Sequence, residues 1–130
     1  MESTNEPGPE DMPDPTLEGR VCLITGATNG IGRAAAYQLG ALGATLVLVG
    51  RSEGRCAETV ERVKEQTGNY SVDFLVADLS VQSQIKQLAE DFQTRHDQLH
   101  VLLNNAGGRN LQRRESADGI ELTFAVNHLA

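Results

Sequence analysis

Eight residues, Thr25-Gly26-Ala27-Thr28-Asn29-Gly30-Ile31-Gly32, gather three glycines between an apolar run, Val21 to Ile24, and a helical pattern that begins near Ile31. A glycine-rich turn from strand into helix offers backbone N–H groups and a helix N-terminus to an anion, the arrangement that receives a pyrophosphate. Gly26 would permit the tight turn, Gly30 the approach of a ligand to the backbone, and Gly32 close helix–strand packing. Thr28 and Asn29 line the turn. An ordinary glycine-rich connection is the alternative; the position after an apolar strand and before an Ala-rich helix favours the phosphate cradle. Arg51 follows Gly50 at the tip of a second apolar run. A carboxylate at that tip would bond an adenosine 2′-OH, whereas a guanidinium suits a 2′-phosphate. The expected cofactor is therefore NADP(H), with NAD(H) as the alternative. Asp78, followed by Leu79, ends a third run; its carboxylate either accepts from the exocyclic amine of a base or simply enters a helix. Asn104 and Asn105 bring amide donors and acceptors to the end of a fourth run, at a cost unless they are paired. Asn127 falls inside a last helical stretch, where its poor propensity needs a reason.

These groups need a scaffold that brings several strand ends to one edge. Residues 20–26, 44–50, 71–77 and 99–104 read as strands buried by their apolar runs. Between them, residues 31–42, 53–67 and 81–96 read as helices. Ile31, Ala35, Leu39 and Leu42 form the first apolar stripe, closed by Gly43. Ala34, Ala35 and Ala36 are small enough for close packing on the sheet. Cys56, Val60 and Val63 form the second stripe, ended by Gly68; Val81, Ile85, Leu88, Ala89 and Phe92 form the third, with Ser80 as its N-cap. A loop from Asn105 to about Ala117 carries Arg109, Arg113 and Arg114, and a further helix starts near Asp118. Strand and helix alternate four times, which argues for an α/β fold with a parallel sheet and right-handed crossovers.

The 130 residues suffice for one small domain, with a core of Val, Leu, Ile and Ala since aromatics are 4% and Trp is absent. The net charge of -7 is concentrated at one end: residues 1–19 carry six of the 18 acids and no base, leaving twelve acids against eleven bases. A nearly neutral folded part speaks against a nucleic-acid partner. Residues 1–16 hold all four prolines and read as a disordered, acidic tail. Cys22 and Cys56 are spaced for neither zinc nor a redox pair and read as buried thiols; no metal is expected. His96 and His100 read as solvent or strand-edge residues. No apolar run approaches a membrane span, and no signal peptide is visible, so a cytoplasmic location is the default.

Thr25-Gly26-xxx-Gly30-x-Gly32, Asp78-Leu79, Asn104-Asn105-Ala106-Gly107 and the stretch Asp118 to His128 together resemble the short-chain dehydrogenase/reductase family, in particular its retinol-dehydrogenase-like branch, over residues 17–130. The resemblance implies a Rossmann-type sheet in the order 3-2-1-4 with helices on both faces, here as a partial dinucleotide-binding domain over 17–130 that stops before the later strands. It implies that Ile31 belongs with the cradle, that Asp78 meets the adenine ring with Leu79 packed beside it, and that the backbone of Asn105, Ala106 and Gly107 lies against the cofactor. It gives Asn127 a place in a catalytic tetrad, its carbonyl holding a water of a proton relay. The implied activity is hydride transfer between carbonyl and alcohol on a small-molecule substrate, and the implied assembly a homo-oligomer in the full-length form, with His128 near a subunit interface. The sequence departs from the family pattern in one respect. Its only tyrosines, Tyr37 and Tyr70, are followed four residues on by Ala41 and Phe74, so neither opens a Tyr-xxx-Lys motif. The expectation is a cofactor-binding half without activity alone, or alternatively a non-catalytic nucleotide-binding module. A methyltransferase is disfavoured by the Asn-Asn-Ala-Gly motif and the Gly50-Arg51 tip.

Overall fold

The computed structural model describes residues 16–107 and 112–129. Apart from Thr16, the expected acidic tail lies outside the described residues, as does Arg109. The strands are β1 (Val21–Thr25), β2 (Thr45–Gly50), β3 (Val72–Val76) and β4 (Val101–Leu103). Three helices, α1 (Gly30–Ala41), α2 (Glu53–Thr67) and α3 (Gln82–Arg95), alternate with them, and a short α4 (Leu122–Phe124) runs on into a π-helical turn, Ala125–Leu129.

All strands are parallel, in the order β3-β2-β1-β4. Leu23 faces Val47 across one side of β1 and Leu102 across the other. Because successive side chains of a strand point to opposite faces, the sheet carries two cores. Cys22, Ile24, Leu46 and Leu48 pack with Ala36 of α1 and with Val60 and Val63 of α2. Leu23, Val47, Val49 and Leu75 pack with Leu88 and Phe92 of α3. Each fully buried aliphatic side chain contributes about 1.5–3 kcal/mol, so the double-sided burial of β1 and β2 anchors the domain. Both cysteines are buried and free, as their spacing suggested.

Helix ends follow the predicted glycines. At the end of α1, Gly43 takes φ +89°. Its N–H donates to the Gly40 carbonyl at 3.0 Å while that of Ala44 reaches back to Leu39 at 3.2 Å, which is a Schellman motif. Gly68 ends α2 at φ +71°, and Ser52 opens it by accepting from the Arg55 N–H. Several local expectations fail. Ile31 is 79% exposed, because the buried face of α1 is instead Gly32, Ala36 and Gly40. Ala34 is exposed as well and Ala35 half-buried. Ala89 faces solvent on α3. Ser80 does not cap α3: Val81 holds the cap position, and the Ser80 hydroxyl donates to Asp78 instead. The last helix begins at Leu122, four residues later than expected, since residues 115–121 form a turn closed by a bridge between Glu115 and Glu121.

Candidate functional site

Parallel strands bring their carboxyl ends to one edge, and a cavity of about 540 Å³ opens there. Its floor is the glycine turn. Gly26 has φ +64°, and a Cβ there would stand 2.9 Å from Cα of Ala106. Gly32 is tighter still: a Cβ would meet the Gly26 carbonyl oxygen at 2.2 Å. Gly30 takes φ +54° with nothing within 4 Å of its absent Cβ, so this backbone is open to a ligand. Asn29 holds the N-cap position of α1 without a side-chain capping bond. The first turn of α1 also contains no acid, so its N-terminal dipole is unopposed there.

Polar ties lock the turn to the end of β4. The Asn105 amide Nδ2 donates to the carbonyls of Thr25 and Gly26, each at 3.2 Å. The Thr25 hydroxyl accepts from the Ala106 N–H at 2.9 Å and donates to the Leu103 carbonyl at 3.4 Å. The cost of an amide at a strand end is thus met by pairing.

One wall comes from the tips of β2 and β3. Gly50, Arg51, Asp78 and Leu79 line it. The Ser80 hydroxyl donates to Asp78 Oδ1 at 2.6 Å and the Ser80 N–H at 2.9 Å. The hydroxyl bond above all holds the Asp78 carboxyl below its usual range; partial burial opposes it, and the Ser80 N–H and the charge of Arg51 add to the lowering. Leu79 is buried against the α3-side core while still reaching the cavity. A second wall is formed by Leu122, Thr123, Val126 and Asn127, on the side of Ala106 and Gly107. Asn127 Oδ1 lies 3.3 Å from where a Gly107 Cβ would be. It sits in the π-helical turn, a helical irregularity frequent at functional positions.

Of the residues singled out in the sequence, Gly26, Thr28, Asn29, Arg51, Asp78, Leu79, Ala106, Gly107 and Asn127 therefore border one cavity. Gly30, Gly32 and Asn105 lie beneath or beside it and shape the turn, whereas Ile31 points to solvent. Arg113 pairs with Glu115 at 2.9 Å away from the cavity. His100 occupies a strand edge, its Nδ1 accepting from the Val21 N–H at 2.8 Å, and His128 stacks on Phe124.

Arg55 was not singled out. It borders the cavity and also a smaller one of about 230 Å³, shared with Arg33 and Arg62, between the starts of α1 and α2. Arg62 pairs with Glu58, but among the described residues Arg33, Arg51 and Arg55 are in no ion pair. The available signal was position: Arg55 lies one helical turn past Arg51, on the first turn of α2. The sequence reads Ser80 as a helix cap, whereas its hydroxyl serves Asp78.

Residues 20–130 match the family model described as short chain dehydrogenase. A human polyprenol dehydrogenase is 36% identical over 115 residues, covering 88% of this chain and 35% of the relative. Human dehydrogenase/reductase SDR family member 12 is 36% identical over 121 residues, covering 93% of this chain and 38% of the relative. Among solved structures, a short-chain dehydrogenase from Sphingobium yanoikuyae in complex with NADPH superposes with a TM-score of 0.72 at 29% identity, covering 85% of this chain and 43% of that one. The Pseudomonas aeruginosa RhlG/NADP complex superposes at 0.67 and 33% identity, over 72% of this chain and 37% of the other. The chain spans between 29% and 39% of the length of the first curated relatives it matches. Among the described residues no helix is long and apolar enough to cross a membrane.

Proposed function

The chain belongs to the short-chain dehydrogenase family, and from that premise we propose that it is the cofactor-binding half of an NADP(H)-dependent oxidoreductase interconverting a carbonyl and an alcohol. The observation that carries the cofactor choice is Arg51 and Arg55 on the main cavity, with Arg33 beside Arg55 on the smaller one, none of the three in an ion pair among the described residues, and an arginine rather than a carboxylate following Gly50 at the tip of β2. The open backbone at Gly30 and the uncapped start of α1 fit a pyrophosphate, and the cavity beyond them fits the rest of a dinucleotide. The NADP and NADPH named with the two solved relatives support the same choice. When bound, the dinucleotide supplies the hydride. The chain's own residues bind and orient it: the glycine turn takes the phosphates, Arg51 and Arg55 the 2′-phosphate, Asp78 the adenine amine, and Asn127 the far end near the reacting carbon. The 130 residues contain no Tyr-xxx-Lys, so they position a cofactor without supplying the substrate's proton.

The test is equilibrium titration with NADPH and NADH. NADPH should bind at least about tenfold tighter, as charge-assisted bonds to one phosphate contribute about 1.5–3 kcal/mol. Arg51→Asp should abolish that preference, and Arg55→Ala should cut it by about fivefold. An unchanged preference in Arg51→Asp would remove the cofactor argument. Residues 1–130 alone should leave NADPH unoxidised in the presence of a carbonyl substrate; normal turnover would refute the division of labour.

A further inference from the structure

We propose that Asp118 is a positioning residue, which sets the distance between the two walls of the cavity by capping α3 from the loop that leads into the Asn127 helix. Helix α3 starts without a local cap. Val81 has no capping oxygen, the first turn holds no acid, and the Ser80 hydroxyl is committed to Asp78. Asp118, 36 residues downstream, fills the gap: its Oδ2 accepts from the Gln82 N–H at 2.7 Å. A carboxylate at a helix N-terminus satisfies an orphan donor and meets the positive end of the dipole.

The loop that carries Asp118 is itself braced. The Ser116 N–H donates to the Ile120 carbonyl at 2.7 Å, the Ser116 hydroxyl accepts from the Asp118 N–H at 3.3 Å, and Gly119 turns at φ +74°. Three residues on, Glu121 accepts from the N–H groups of Thr123 and Phe124 at 2.8 and 3.0 Å and so caps α4. Two carboxylates in one short turn therefore cap two different helices. One helix follows directly on the Asp78–Ser80 wall, and the other carries the Asn127 wall. Helix α4 and its π-turn make few contacts to the strands or to α1–α3, and meet the body of the domain through buried Ala125 and through Asn127 beside Gly107. The cap on Gln82 adds a direct tie between the Asn127 wall and the start of α3. Asp118 is exposed and does not line the cavity, so its effect passes through the two helix starts.

The test compares Asp118→Ala with Asp118→Asn in this protein; asparagine keeps a capping oxygen and alanine does not. In the free protein, amide exchange should quicken about fivefold in Asp118→Ala both at 81–85 and at 121–128, with 56–67 unchanged, and Asp118→Asn should stay near the parent. Exchange quickened at 81–85 alone, or equally in both variants, would overturn the proposal. The second measurement rests on the cofactor assignment: Asp118→Ala should weaken NADPH about fivefold yet leave adenosine 2′,5′-bisphosphate, which reaches only one wall, within twofold. Equal weakening of both ligands would mean general destabilisation and would also overturn it. Should the parent bind neither ligand, the cofactor assignment falls while the exchange result still decides the role of Asp118.

Discussion

Replacing Gly32 with alanine should damage this domain more than its conservative appearance suggests. A Cβ at position 32 would stand 2.2 Å from the Gly26 carbonyl oxygen and 2.5 Å from Asn105 Nδ2. The first distance is roughly 1.2 Å short of ordinary van der Waals contact. The obstacle is backbone, so no rotamer change relieves it; α1 must move off the sheet or the turn must open. Overpacking of this kind costs about 1–3 kcal/mol. Displacing Asn105 forfeits one or both of its bonds to Thr25 and Gly26, at about 1 kcal/mol each. Better helix propensity of alanine returns at most about 1 kcal/mol. The expected loss is about 2–3 kcal/mol. In urea unfolding followed by circular dichroism, with an m-value near 1.5 kcal/mol/M, the midpoint should fall by about 1.3–2 M. Gly30→Ala is the control. It meets no neighbour and is limited by φ +54° alone, so it should cost about 1–2 kcal/mol, and Gly30→Asn less, because asparagine tolerates the left-handed region. A Gly32→Ala midpoint within about 0.3 M of the parent would refute the close-packing account of this turn.

Two further outcomes follow from named contacts. Asn69 Nδ2 donates to the carbonyls of Gly40 at 3.0 Å and Ala44 at 2.7 Å, while its Oδ1 accepts from the Ser71 N–H. Asn69→Ala should lower stability by about 2–3 kcal/mol in the same urea assay and leave NADPH affinity within twofold, as the residue does not border the cavity. Ser80→Ala removes the bond that chiefly lowers the Asp78 carboxyl. A carboxyl lowered in the fold adds stability that is present above its unfolded pKa, near 3.9, and lost as pH falls through the folded value. Without Ser80 the folded value should move up toward that limit and the pH-dependent part shrink. Carboxyl NMR titration of Asp78 in both proteins checks the direction; an unmoved titration would mean that the hydroxyl is not the main cause and that the Ser80 N–H and Arg51 hold the group.

The architecture was legible because its signals are short in range and redundant. Each buried strand of the sheet is an apolar run, each glycine at φ +89° or +71° follows a helix that the periodicity already marked, and α2 runs over the expected residues. The cavity was legible for a related reason: parallel strands put their carboxyl ends on one edge, so residues singled out after four separate strands converge without further information. Arg55 is not legible from its charge alone, which says nothing of the way it faces; only its place one turn past Arg51 points to the cavity. The Asp118–Gln82 cap spans 36 residues and depends on where a loop returns, which local pattern does not encode.

The misassigned face of α1 has a physical cause of more general reach. Hydrophobic periodicity finds the stripe with the largest apolar side chains, here Ile31, Ala35, Leu39 and Leu42. A helix whose first turn lies this close to the sheet keeps Ile31 out of the contact, while Ala35 and Leu39 pack at its margin. Its buried face is Gly32, Ala36 and Gly40, and even Gly40 has so little room that a Cβ would meet Val63 Cγ1 at 3.0 Å. Ile31, displaced from the core, ends 79% exposed beside the cradle. In this chain the glycines therefore serve two distances at once: Gly30 leaves the backbone uncovered on its outer side, while Gly32 and Gly40 keep it close inward to the sheet and to α2. A substitution that fills the inward side moves the outward one, which is why the stability cost of Gly32→Ala and a loss of cofactor affinity should appear together.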